Sequence, residues 1–121
     1  MNVLIACESS GEVRRAFRAV GHQAFSCDLL PADDGSPYHF QADALEVARC
    51  GKWDMMIAHP PCTHLASSGA RWLTDHIVSN KRGDWFHDGS AKRAMQREAL
   101  QFVLDLWACP IHEIAIENPV G

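Results

Sequence analysis

The stretch Asn2-Val3-Leu4-Ile5-Ala6-Cys7-Glu8-Ser9-Ser10-Gly11-Glu12-Val13 decides the fold. Val3 to Cys7 is a short, continuous apolar run, the pattern of a strand buried on both faces of a parallel sheet. A glycine-containing turn follows. From Gly11 to Val20, Val13, Ala16, Phe17 and Val20 recur at helical spacing while Arg14, Arg15 and Arg18 are expected to point elsewhere. Ser9-x-x-Glu12 reads as a capping box for that helix. Gly21 ends the helix, Gln23 to Cys27 makes a second strand, and Asp28 falls where that strand should stop.

The rest of the chain continues the alternation. Pro31 to Pro37 is dense in turn formers and reads as a surface loop, followed by a short strand around His39 to Ala42. Asp43-x-x-Glu46 opens a short helix to about Cys50, and Trp53 to Ala58 is another apolar strand running into His59-Pro60-Pro61-Cys62. Ser67 to Ser90 shows no sustained period and is expected to be mostly loop, with a helical turn near Leu73 to Val78. Ala91, Met95, Ala99, Phe102, Val103 and Leu106 predict one long helix from about Ser90 to Trp107, closed by Pro110. His112 to Ile116 is a last strand that delivers Glu117-Asn118-Pro119. Strands alternating with helices imply an α/β fold with an open, mostly parallel sheet, whose ligands bind outside the carboxyl ends of the strands.

Composition limits the function classes. The chain has 121 residues, 47% hydrophobic and 21% charged, enough apolar content to bury a core as one domain. No run approaches the roughly 18 apolar residues of a membrane span, and the N-terminus lacks a basic leader region, so a cytoplasmic protein without membrane contact is expected. Five cysteines without a CxxC pair do not form a disulfide framework, so any important one should act as a thiol. A formal net charge of −4 lacks the broad basic signal of a free-standing DNA-binding module.

Several residues carry candidate chemistry. Cys62 follows Pro60-Pro61 on a rigid turn, which suits a nucleophile, and His59 and His64 flank it as partners able to lower its pKa. The alternatives are a small buried hydrophobe or a zinc ligand, although His59, Cys62 and His64 fall short of the about four ligands of a structural zinc site. No metal is therefore expected. Glu117 at its strand end could protonate a ring nitrogen while a thiolate attacks a neighbouring carbon, or be an ordinary polar terminus. Asp28 could accept from ribose hydroxyls and Asp43 could meet an adenine, against the plainer readings of a loop aspartate and a helix N-cap. Ser9, Ser10 and Gly11 would form the first turn beside the carboxylate end of a nucleoside cofactor, with helix N-terminal amides open to an anion. Arg71, Lys81, Arg82, Lys92, Arg93 and Arg97 with Trp72, Trp85 and Phe86 could touch phosphates and stack on bases, or form a solvated surface.

Taken together, these residues resemble the S-adenosylmethionine-dependent DNA cytosine carbon-5 methyltransferases, especially compact phage and prophage forms. Pro60-Pro61-Cys62 resembles the family's Pro-Cys nucleophile motif and Glu117-Asn118 its Glu-Asn-Val motif, in the right order and separation. The resemblance implies a Rossmann-like methyltransferase fold, S-adenosylmethionine as cofactor and DNA as substrate. It implies catalytic roles for Cys62, Glu117 and Asn118, with Asn118 holding the Pro-Cys loop. The cofactor would meet Cys7, Glu8, Ser9, Ser10, Gly11, Asp28 with Leu29, Asp43 with Ala44, His59 and Pro60; the flipped base and its strand would meet Pro61, Arg71 and Trp72. The chain departs from the family at Cys7-Glu8-Ser9-Ser10-Gly11-Glu12, which keeps one glycine of the usual Phe-x-Gly-x-Gly-Gly, at Thr63 for a glutamine and at Pro119 for a valine. The family's later arginine motif, target-recognition region and last strands would lie beyond Gly121. The expectation is a sheet truncated after its fifth strand, completed by a C-terminal half or a second chain. Two alternatives are an amino-group DNA methyltransferase, which would place an aromatic where Cys62 stands, and a non-catalytic or decoy nucleotide-binding domain.

Overall fold

The computed structural model describes residues 1–61, 76–80 and 83–117. The chain forms two compact units, the first comprising Met1–Pro60 and Val103–Glu117, the second centred on Pro61–Phe102. In chain order the first unit holds β1 (Asn2–Ala6), α1 (Glu12–Ala19), β2 (Gln23–Asp28), β3 (His39–Gln41), α2 (Ala44–Cys50) and β4 (Met55–Ala58). The second holds β5 (His76–Asn80) and β6 (Gly83–His87); α3 (Ser90–Trp107) runs from its segment into the first unit's, which ends with β7 (Glu113–Ile116).

The apolar run at the N-terminus becomes the centre of the sheet. Five parallel strands stand in the order β3-β2-β1-β4-β7, an arrangement compatible with a Rossmann-like fold. Val3, Leu4, Ile5 and Ala6 have no exposed surface, as a strand covered on both faces requires. Alternation along the strands assigns the two faces. Val3 and Ile5 pack with Ala24 and with Val13 and Phe17 of α1. Leu4, Ala6, Met56 and Ala58 point to the opposite face and are fully buried.

Most expected elements form, and the differences have local causes. β4 starts at Met55 because Trp53 turns back to donate from Nε1 to the Val47 carbonyl at 3.0 Å, while the Asp54 carboxylate accepts from the Asn2 N–H at 2.7 Å. The box expected from Ser9 and Glu12 is replaced: Gly11 is the N-cap, with φ 78° and no side-chain cap bond, and the Glu8 carboxylate takes the first-turn amides. Asp43 does cap α2, accepting from the Leu45 N–H at 3.1 Å. Arg14 does not point to solvent: it is 1% exposed and donates to Ser26 Oγ at 2.7 Å and to Asp34. Ser26 is a polar side chain in the middle of β2, so it needs a buried partner, and the arginine supplies one.

The expected loop from Ser67 to Ser90 contains a hairpin. β5 and β6 pair antiparallel from His76 opposite His87 to Asn80 opposite Gly83, so Val78 lies in a strand rather than a helical turn; Leu73 to Asp75 lie outside the described residues. Each strand is only five residues, too short for a period to show, but Ile77, Val78, Trp85 and Phe86 are strand-favouring types. α3 has its expected bounds; of its expected stripe, Leu106 is buried while Met95 is 46% exposed. Among the described residues no helix is long and apolar enough to cross a membrane.

Candidate functional site

The site is built by the carboxyl ends of three adjacent strands. Beyond each strand the backbone ladder continues by one bond: the Glu8 N–H donates to the Cys27 carbonyl at 3.1 Å, the His59 N–H to Ala6 at 3.0 Å and the Glu117 N–H to Ala58 at 2.9 Å. Glu8, His59 and Glu117 are thereby fixed side by side at the ends of β1, β4 and β7. The chain leaves β1 towards β2 and β3, then returns to the other side as β4 and β7, so the order reverses between β1 and β4. Open α/β sheets bind ligands at such a reversal. A cleft of about 420 Å³ lies there, lined by Cys7, Glu8, Ser9, Ser10, Glu12, Val13, His59 and Glu117.

Two carboxylates flank one imidazole. Glu8 is 6% exposed, and its two oxygens accept from the N–H groups of Val13 at 3.2 Å and Arg14 at 3.3 Å. The helix amides expected to be open to an anion are thus occupied by the chain's own carboxylate, a favourable place for negative charge. His59 Nδ1 stands 3.0 Å from Glu117 Oε2, an ion pair whenever the imidazole carries its second proton. His59 Nε2 is buried 4.0 Å from Glu8 Oε2 and has no hydrogen-bond partner among the described residues. The Glu117 side chain is 70% exposed.

Cys7 and Cys27 are poor nucleophiles. Cys7 ends β1 with φ 60°, a left-handed conformation rare outside glycine. Burial, with the charges of Cys27, Asp28 and Asp43 adding, pushes its thiol up to about 12. Burial likewise pushes the Cys27 thiol up to about 11. Neutral thiols of this kind neither attack nor bind metal readily.

Other expected site residues stand on the same rim outside the cleft. Asp28 accepts from the Leu30 N–H at 2.9 Å, and its carbonyl accepts from Ala42 at 3.0 Å. Asp28 and Asp43 do not line the cleft, yet the field of both reaches Cys7, which does. Leu29 is 73% exposed, Ala44 is buried at the start of α2, and Gly11 and Pro60 are buried without lining the cleft; Pro61 is exposed. Cys62, Thr63, His64, Arg71, Trp72, Lys81, Arg82 and Asn118 lie outside the described residues. Among the described residues no group of three or more His, Cys, Asp or Glu side chains is arranged to hold a metal ion.

The pairing of His59 with Glu117 and the capping by Glu8 were not anticipated. A carboxylate four residues before a helix is a usable signal, because it can reach first-turn amides. The fold and site define an α/β protein with a five-stranded parallel sheet and a ligand-sized cleft at its strand reversal. No protein-family model, curated protein or solved structure matches the chain.

Proposed function

We propose that the chain is the cofactor-binding and catalytic part of a DNA cytosine carbon-5 methyltransferase. The observation that carries this reading is the cleft at the β1/β4 reversal with Glu117 at its mouth. Its chemistry suits the cofactor in most respects. The ammonium, sulfonium and ribose hydroxyls of S-adenosylmethionine are cations and donors, and Glu8, His59, Asp28 and Glu117 supply acceptors and negative charge on one rim. Bound there, the cofactor supplies an electrophilic methyl group.

The chain's residues supply the rest. The Cys62 thiolate adds to carbon 6 of a cytosine turned out of the DNA stack, while Glu117 gives a proton to ring nitrogen 3, and carbon 5 becomes the nucleophile. Once carbon 5 carries the methyl group, loss of its proton and of the thiolate, with the nitrogen 3 proton returned to Glu117, restores the aromatic ring. Asn118 steadies the Pro-Cys turn, and Pro61, Arg71 and Trp72 meet the base and its strand.

DNA containing 5-fluorocytosine tests the reading, because fluorine at carbon 5 blocks the final proton loss. With cofactor present, the chain should form a covalent adduct at Cys62 visible by mass spectrometry, absent in Cys62→Ser and slowed in Glu117→Gln. A folded chain that binds cofactor yet forms no adduct removes the cysteine mechanism. Glu8 occupies the α1 amides where the cofactor's carboxylate was expected, so that carboxylate takes other donors on this rim.

A further inference from the structure

Away from the strand-end cleft, a second cavity of about 430 Å³ lies between α1 and the segment leading into β3. Arg14, Arg15 and Arg18 line it from the helix, and Asp34, Ser36 and Tyr38 from the other side. Three guanidiniums face one carboxylate, an excess of two positive charges in a chain whose formal net charge is −4. We infer that this cavity is a phosphate-binding site.

The arginines divide the work. Arg14 is 1% exposed and spends its bonds on Ser26 and Asp34, so it fixes the floor of the cavity. Arg15 is 53% exposed and uses only Nη1, which donates to Asp34 Oδ2 at 2.9 Å and to the Ser10 carbonyl at 3.2 Å. Arg18 also uses only Nη1, donating to the Ala24 carbonyl at 2.9 Å, while its guanidinium carbon stands 3.4 Å from the Tyr38 ring centroid. Nε and Nη2 of both make no hydrogen bond among the described residues. Stacking on an aromatic face and anchoring through one nitrogen hold a guanidinium's orientation while its remaining donors stay open. Those donors form forks that match phosphate oxygens two at a time.

Asp34 is the internal competitor. Its Oδ2 receives both Arg14 and Arg15, and its Oδ1 accepts from the Ser36 N–H at 3.1 Å. A carboxylate satisfies these guanidiniums in part, and a phosphate, with more charge and more oxygens, adds Arg18 and the rest of Arg15. The same chemistry is offered by a small phosphorylated molecule and by the phosphodiester backbone of a nucleic acid strand.

Titration calorimetry and thermal melting of the full chain with inorganic phosphate, pyrophosphate and a short oligodeoxynucleotide test the site. Saturable binding of phosphate or pyrophosphate identifies a small-molecule source; binding of the oligonucleotide alone, weakening with salt, identifies a strand. Arg15→Gln should weaken binding about tenfold, the loss of one charge-assisted fork. Asp34→Asn should act in the opposite direction, tightening binding severalfold and enlarging the rise in melting temperature that phosphate gives. Opposite signs cannot come from general damage to the fold. If Asp34→Asn does not fold, Arg15→Gln decides alone, since its side chain is at the surface. No saturable binding of any of the three by the folded chain, or equal affinity in the parent and Arg15→Gln, overturns the inference. None of these outcomes depends on the methyltransferase reading.

Discussion

Replacing Glu8 tests the architecture of the strand-end site most sharply. Its buried carboxylate accepts two first-turn amides of α1 and faces His59, so Glu8→Ala orphans both amides at once. Loss of a helix cap costs about 1 kcal/mol, within a range of about 0.5–2. A second orphaned donor adds about 1–3 kcal/mol, and the lost interaction with the helix dipole about 0.3–1. Relief of the desolvated charge offsets part of this. The net expectation is a loss of about 2–3 kcal/mol, which for a domain of this size lowers the melting temperature by about 10 °C. Glu8→Gln keeps one acceptor oxygen but turns an NH2 group towards the other amide, so it should lose about half as much. Urea unfolding followed by far-ultraviolet circular dichroism gives both values. If both variants stay within about 0.5 kcal/mol of the parent, as an ordinary surface substitution would, the carboxylate does not cap α1 as described.

Three further expectations follow from single residues. Gly11→Ala forces an alanine to φ 78° and drives its Cβ into the Arg14 guanidinium, so a loss of about 2–3 kcal/mol is expected in thermal melting; parent-like stability would rule out that backbone. At neutral pH a thiol-disulfide reagent should label exposed Cys50 quickly and half-buried Cys7 and buried Cys27 only slowly, and rapid labelling of Cys7 would contradict its raised thiol. Both thiols are raised in the folded state, so their stabilising effect is complete below the ordinary value of 9.0 and declines as pH rises towards about 11, where unfolding should become easier. Glu117→Gln should change stability by less than about 1 kcal/mol, because the side chain is exposed and its pairing with His59 is solvent-screened; a loss of several would make Glu117 a structural residue.

The sheet was legible where sequence neighbours carry the signal. Val3 to Ala6 reads as a strand covered on both faces without reference to anything else, and α3 and β7 follow from local period and the break at Pro110. The hairpin was not legible, because Ile77 opposite Phe86 is a pairing across the chain and neither strand is long enough to show a period alone. Arg14 was misread for a similar reason: its partners Ser26 and Asp34 are twelve and twenty residues away. In the site, Glu117 and His59 could each be placed at a strand end. Their contact depends on β4 lying beside β7, a neighbour relation that strand order fixes and residue spacing does not.

Titration calorimetry of the chain with S-adenosylmethionine tests the proposed cofactor site most directly. The expected result is saturable one-site binding that is unchanged by Cys62→Ser and weakened about tenfold by Asp28→Ala, the loss of about one charge-assisted hydrogen bond to the ribose. Absence of binding by a folded chain, or binding that Asp28→Ala leaves untouched, would contradict it.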